Sequence, residues 1–165
     1  MLVDGRALAE QIYATVKVAA EARPVPPHLT IITCAPNAAT QQYLALKKRK
    51  AAAVGIAVNI IELPVTITTA EAAAVAEYAQ MQTNAIIVQL PLPAHLDTDT
   101  IVNAIPCRYD VDGMHYDGTP ATTMSPVVCA IDTICREYDL LLAAQQVVVV
   151  GNGRLVGKPA ALWAQ

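Results

Sequence analysis

The sequence predicts an α/β protein built on a parallel sheet in the order β-α-β-α-β, followed by one more strand and the start of a helix. Three observations predict it. Short β-branched runs alternate with stretches of helical period that carry recognisable caps. The run Ala85-Ile86-Ile87-Val88-Gln89 ends on an amide and is followed by Leu90-Pro91-Leu92-Pro93, whose prolines cannot donate to a ladder and so stop the sheet. Four consecutive valines at 147–150 run into Gly151-Asn152-Gly153-Arg154-Leu155-Val156-Gly157, a glycine loop placed between a strand and a helix.

The elements follow in order. Asp4 can cap a helix over residues 6–22, in which Leu8, Ile12 and Val16 recur at i, i+4 and i+8. Pro24, Pro26 and Pro27 end it. Residues 29–34 read as a strand; Asn37 can cap a second helix over 38–54, stopped by Gly55. Residues 56–63 form a second strand, and Thr68-Thr69-Ala70-Glu71 has capping-box spacing that opens a third helix. After the third strand at 85–89, Asp97 can cap a short helix to 104 and a loop spans 105–125. Pro126 suits the first turn of a helix reaching 138. Residues 147–150 are expected to be a buried strand. One strand and part of a helix cannot make a domain, so the expectation is that this chain is the front part of a longer protein.

Composition narrows the function. The chain has 165 residues, 55% hydrophobic and 15% charged, enough for a core and too apolar for a disordered segment. Its net charge is −3 and its one basic run, Lys47-Lys48-Arg49-Lys50, falls late in a helix, so nucleic acid is not expected as a partner. Cys34, Cys107, Cys129 and Cys135 lack zinc or redox spacing, and no metal is expected. With no signal peptide and no apolar run of spanning length, the expectation is a cytoplasmic protein with no membrane partner.

The residues that could carry chemistry lie in three places. Tyr43 and Lys47 are four apart and share a helix face. The pair reads either as an aromatic ring beside a proton carrier or as a surface tyrosine over a solvated lysine. Gln89 sits at the carboxyl end of a strand, where open α/β sheets bind ligands. Asp110 and Asp112 fall on one side of an extended segment, although Asp112-Gly113 is also an ordinary turn signal. His115 reads as a solvated loop histidine. The glycine loop has the spacing G-x-G-x-x-x-G, one residue longer than the usual dinucleotide fingerprint.

Tyr43-x-x-x-Lys47, Val88-Gln89-Leu90-Pro91-Leu92-Pro93, Asp110-Val111-Asp112-Gly113 and Val149-Val150-Gly151 with Val156-Gly157-Lys158-Pro159 occur in one order over essentially the whole chain. Together they resemble the bifunctional methylenetetrahydrofolate dehydrogenase/methenyltetrahydrofolate cyclohydrolases of one-carbon metabolism and purine biosynthesis. The resemblance implies a folate-binding catalytic domain at 1–122, a connecting helix and loop at 123–143, and at 144–165 the start of an incomplete NAD(P)-binding Rossmann domain. It implies oxidation of 5,10-methylenetetrahydrofolate and hydrolysis of the methenyl product to 10-formyltetrahydrofolate. This chain would carry the folate side of that site and would not act as a dehydrogenase alone.

Roles follow from the same resemblance. Lys47 would be the acid/base of hydrolysis, Gln89 would hold and tune it, and Tyr43 would stack on the folate ring. Asp112 would bond the polar edge of the pterin, beside Leu90 and Pro91, while Asp110 would shape the loop. Gly151, Asn152, Gly153, Arg154 and Gly157 would approach the cofactor at a helix N-terminus. The implied cofactor is NADP, with NAD the alternative because the cofactor site is incomplete here. The implied partners are tetrahydrofolate derivatives and, for the full-length protein, a second copy in a homodimer.

Three departures from the family pattern stand out. Asn152-Gly153 replaces Arg-Ser, removing a charge for a 2′-phosphate that Arg154 could restore. The stretch from Met114 to Gly118 is shorter than the usual Phe-His-Pro-x-Asn-x-Gly, and Thr123-Met124-Ser125-Pro126 replaces Pro-Cys-Thr-Pro. Two competing readings are a non-catalytic truncated relative that binds a folate or a protein partner, and a different α/β dehydrogenase of similar plan.

Overall fold

The apolar, β-branched run His28–Cys34 forms β1, the central strand of a three-stranded parallel sheet in the computed structural model, which describes residues 2–143 and 145–165. Its neighbours are β2 (Ala57–Leu63) and β3 (Ala85–Val88), giving the order β2-β1-β3. Ile31 pairs with Ile60 and Ile87, and Ile32 with Ile61 and Val88. As the middle strand of a sheet covered on both faces, β1 buries Ile31 and Ile32 completely, which is why it reads as a continuous apolar run.

The helices are α1 (Gly5–Glu21), α2 (Ala38–Ala53), α3 (Thr69–Ala79), α4 (Thr98–Asn103), α5 (Pro126–Glu137) and α6 (Gly157–Trp163). The expected caps form. The side chains of Asp4 and Asn37 accept from Ala7 N and Thr40 N at 3.0 and 2.9 Å. Thr68 and Glu71 complete the reciprocal capping box of α3. The chain lacks phenylalanine, and the core closes on small residues instead. Ala72 and Ala76 of α3 are fully buried against Ile32, Ile86 and Val88, with Ile101 and Val102 of α4 completing this face. On the opposite face, Ile31 and Ile87 pack with Leu44 of α2.

The α/β class and the parallel sheet match the expectation from sequence, as does a helix start after the glycine loop, formed by α6. The strand expected at 147–150 does not form. Val148 and Val150 are 84% and 95% exposed, and the described residues include no ladder through this run. Valines become a strand only where a neighbour supplies backbone partners. The outer edge of β3 is instead occupied by an isolated parallel bridge between Ile86 and Asp110. No helix among the described residues is long and apolar enough to cross a membrane.

Candidate active site

Two local features and one long-range pairing build the site. Asn37 starts α2 immediately after β1, so α2 carries Tyr43 and Lys47 back along the sheet on a single face. The backbone N–H of Gln89 donates to Ile32 O at 2.8 Å, the last bond of the β1–β3 ladder before the chain turns into the proline segment. The Leu90–Pro91 peptide bond is cis. The Ile86–Asp110 bridge then aligns the next segment parallel to β3, so that Asp112 comes level with the carboxyl end of that strand.

These placements converge. Lys47 Nζ donates to Gln89 Oε1 at 3.1 Å, joining residues 42 positions apart. The same Nζ lies 4.9 Å from the centre of the Tyr43 ring, within cation–π range. Gln89 Nε2 donates to Leu90 O at 3.0 Å, so both ends of the amide are held and its oxygen is directed at the lysine. Tyr43, Lys47, Gln89, Leu90 and Asp112 line one cleft of about 420 Å³, together with Met114, Val127 and Leu155. That volume is within the range of small-molecule pockets. Pro91 is exposed and lies outside the lining.

The electrostatics of the cleft are coupled. Burial holds the Lys47 ammonium below the ordinary lysine range, while the charge of Asp112 pulls it back up. Burial likewise pushes the Asp112 carboxyl above the ordinary aspartate range, Lys47 opposes the shift, and Asp110 adds to it. Each group is thus displaced toward its neutral form by desolvation, and each is partly restored by the other. Such opposed shifts in a cleft are characteristic of groups that move protons.

Asp110 itself faces inward. It is 3% exposed, and its carboxylate accepts from both the backbone N–H and the ring Nδ1 of His115. His115 is therefore not the solvated loop residue its sequence context suggests, because a buried carboxylate requires donors and His115 supplies two. Met114, Val127 and Leu155 were not singled out in the sequence. Met114 stands directly after Asp112-Gly113 and Leu155 lies within the glycine loop, while Val127 carries no local signal.

The glycine-loop residues form a second flank. Asn152, Arg154 and Lys158 line a polar cleft of about 420 Å³ with Asp99, Asn103 and Tyr116, divided from the first by Met114. Arg154 is ion-paired to Asp99 of α4. Nothing crowds the backbone at Gly151 or Gly153, so a ligand can approach it closely. Gly157 is buried, and a side chain there would strike the carbonyl of Gly151. No cluster of three potential metal-ligating side chains occurs among the described residues.

A parallel sheet that delivers an amine, an amide and a carboxylate to a cleft at its carboxyl end defines the catalytic domain of an open α/β enzyme. The family model for the tetrahydrofolate dehydrogenase/cyclohydrolase catalytic domain matches residues 3–112, and the chain belongs to that family. It is 36% identical to the bifunctional protein FolD of Lactococcus lactis, over 97% of this chain and 60% of that protein. The crystal structure of the FolD methylenetetrahydrofolate dehydrogenase/cyclohydrolase from Campylobacter jejuni superposes with a TM-score of 0.93 at 26% identity, covering 99% of this chain and 62% of that one. The Trypanosoma brucei enzyme, solved with NADP and an inhibitor, gives 0.88 at 26% identity, over 99% of this chain and 60% of its own. The chain thus spans about 60% of the length of the curated relatives it matches.

Proposed function

We propose that this chain provides the folate side of a methylenetetrahydrofolate dehydrogenase/methenyltetrahydrofolate cyclohydrolase, with residues 1–122 as the folate-binding domain, 123–143 as the connection and 144–165 as the start of the cofactor domain. The observation that carries the reading is the Lys47–Gln89 bond inside a cleft shared with Tyr43 and Asp112.

The residues present supply the chemistry that hydrolysis requires. Tyr43 offers an aromatic face beside the amine for a flat heterocycle. Asp112, set level with the strand end, accepts hydrogen bonds from the polar edge of that heterocycle. Lys47 is depressed by burial and so is closer to exchanging a proton near neutral pH than an exposed lysine. Gln89 fixes the direction in which the lysine presents its remaining hydrogens or lone pair. Water attack on a methenyl carbon and the ring opening that follows both need a proton moved, and Lys47 is placed to move it.

The loop from Gly151 to Gly157 fits one flank of a nicotinamide dinucleotide site: open backbone at Gly151 and Gly153, and cations at Arg154 and Lys158. The cofactor, when bound, accepts the hydride of the oxidation half. We assign NADP as that cofactor, with the 2′-phosphate contact falling to Arg154 once it is released from Asp99. Tetrahydrofolate derivatives are the substrates and the full-length protein is assigned a homodimer; the four free cysteines of this chain suit the cytoplasm.

The test is Lys47→Met in the intact protein. Methenyl hydrolysis, followed by absorbance, is expected to fall about 10²–10⁴-fold, while calorimetry still detects binding of a reduced folate. Undiminished hydrolysis would overturn the role of Lys47. Folate binding without any turnover in the unaltered intact protein would favour a non-catalytic relative.

A further inference from the structure

We propose that Asp110 and His115 are a positioning pair for Asp112, closing the 110–115 loop so that the Asp112 carboxyl is held at the cleft opposite Lys47. The pair takes its ligand probe from the folate reading above, but its geometry stands independently of it.

Three anchors define the loop. At its start, Asp110 is bridged to Ile86, which fixes the segment to the outer edge of β3. At its turn, Gly113 has φ +67°, and a Cβ there would lie 2.6 Å from Ser125 N, so the backbone rests directly on the start of α5. At its end, His115 returns to Asp110, donating from its backbone N–H at 2.8 Å and from Nδ1 at 2.9 Å, both to Oδ2. A carboxylate oxygen only accepts, so Nδ1 carries the proton and the ring is held in one orientation. Asp112 lies between the first two anchors and Met114 between the second and third. The loop therefore sets both the carboxylate of the first cleft and the wall that divides it from the second.

Burial explains why the closure is worth making. Asp110 is 3% exposed, and an unpaired carboxylate at that depth would be strongly unfavourable. Two charge-assisted bonds from one residue satisfy it and fix the loop together. Asp110 also acts on Asp112 through charge, adding to the upward displacement of the Asp112 carboxyl against the opposing pull of Lys47. A purely structural bond would hold the loop without affecting the cleft, and this difference can be measured.

The experiment uses the intact protein and the variants His115→Ala, His115→Asn and Asp110→Asn. 5-Formyltetrahydrofolate is the calorimetric probe, and a ¹³C-carboxylate NMR titration reads Asp112. His115→Ala is expected to weaken probe binding about tenfold, the scale of one hydrogen bond to a charged group. His115→Asn, whose amide can donate in place of Nδ1, is expected to restore binding to within about threefold of the unaltered protein. Asp110→Asn is expected to move the Asp112 titration to lower pH. Unchanged binding in His115→Ala overturns the proposal, as does a folded His115→Asn that binds no better than His115→Ala, or an unmoved Asp112 titration in folded Asp110→Asn. If the unaltered protein does not bind the probe, the folate reading fails instead. The Asp112 carboxylate resonance then decides the pair: a changed chemical shift in folded His115→Ala supports it, and an unchanged one overturns it.

Discussion

Lys47 carries a stability cost that its chemistry explains. Burial holds its ammonium below the ordinary lysine value of 10.5. Between the folded value and 10.5 the unfolded chain therefore binds more protons than the folded one. Stability from this group is present above 10.5 and is lost as the pH falls through the folded value. Replacing Lys47 with Met removes that loss. The thermal midpoint of Lys47→Met is expected to exceed that of the unaltered chain at neutral pH, with the difference narrowing toward 10.5; a lower midpoint at neutral pH would mean that the bond to Gln89 and the charge of Asp112 outweigh desolvation. Gly113 presents the opposite case, a residue whose absence of side chain holds the loop. Its φ of +67° and its approach to the Ser125 backbone leave no room for a methyl group. Gly113→Ala is expected to destabilise by roughly 2–4 kcal/mol in urea unfolding, summing left-handed strain and overpacking. The Asp-Gly pair was legible as a turn signal, but the burial of Asp110 and its capture of His115 were not, because the donor is recruited by a buried carboxylate and no local pattern marks burial.

The elements were legible wherever local chemistry specifies them. Asp4, Asn37 and Thr68 each accept the backbone N–H their position requires, and the helices begin accordingly. The reciprocal Thr68–Glu71 box of α3 is the most complete of these starts, and Thr68→Ala is expected to lower stability by about 1 kcal/mol, read as a shift in the urea midpoint. Strand β3 ends where the proline segment begins, and Gln89 is consequently presented at the carboxyl end of the sheet. The run at 147–150 has the same apolar, β-branched character as β3 and no ladder partner among the described residues. Composition alone could not separate the two, since a ladder is a property of two segments.

For the whole molecule, the consequence is that stability is concentrated in the sheet and its helices, with the valine run contributing little. Val148→Thr and Val150→Thr are each expected to change the unfolding free energy of this chain by no more than about 0.5 kcal/mol, the range of surface substitutions. Val88→Thr, which buries a hydroxyl in the core, is expected to cost about 1–3 kcal/mol; equal effects at 88 and 148 would mean that the valine run is packed after all. The α/β class, the order of the elements as far as α5 and the candidate groups can be read from the sequence, because caps, periodicity and proline stops act within a few residues; the strand expected at 147–150 is the exception. Tyr43 beside Lys47 and Gln89 at a strand end belong to that local record. The tertiary pairings lie outside that record: Lys47 reaches Gln89 across 42 positions, Arg154 pairs with Asp99, and Asp110 is closed by His115. The downward displacement of Lys47 and the upward displacement of Asp112 belong to the tertiary structure as well. Desolvation and charge pairing depend on which segments meet, and the parallel sheet, by setting the carboxyl ends of its strands side by side, makes them meet at this cleft.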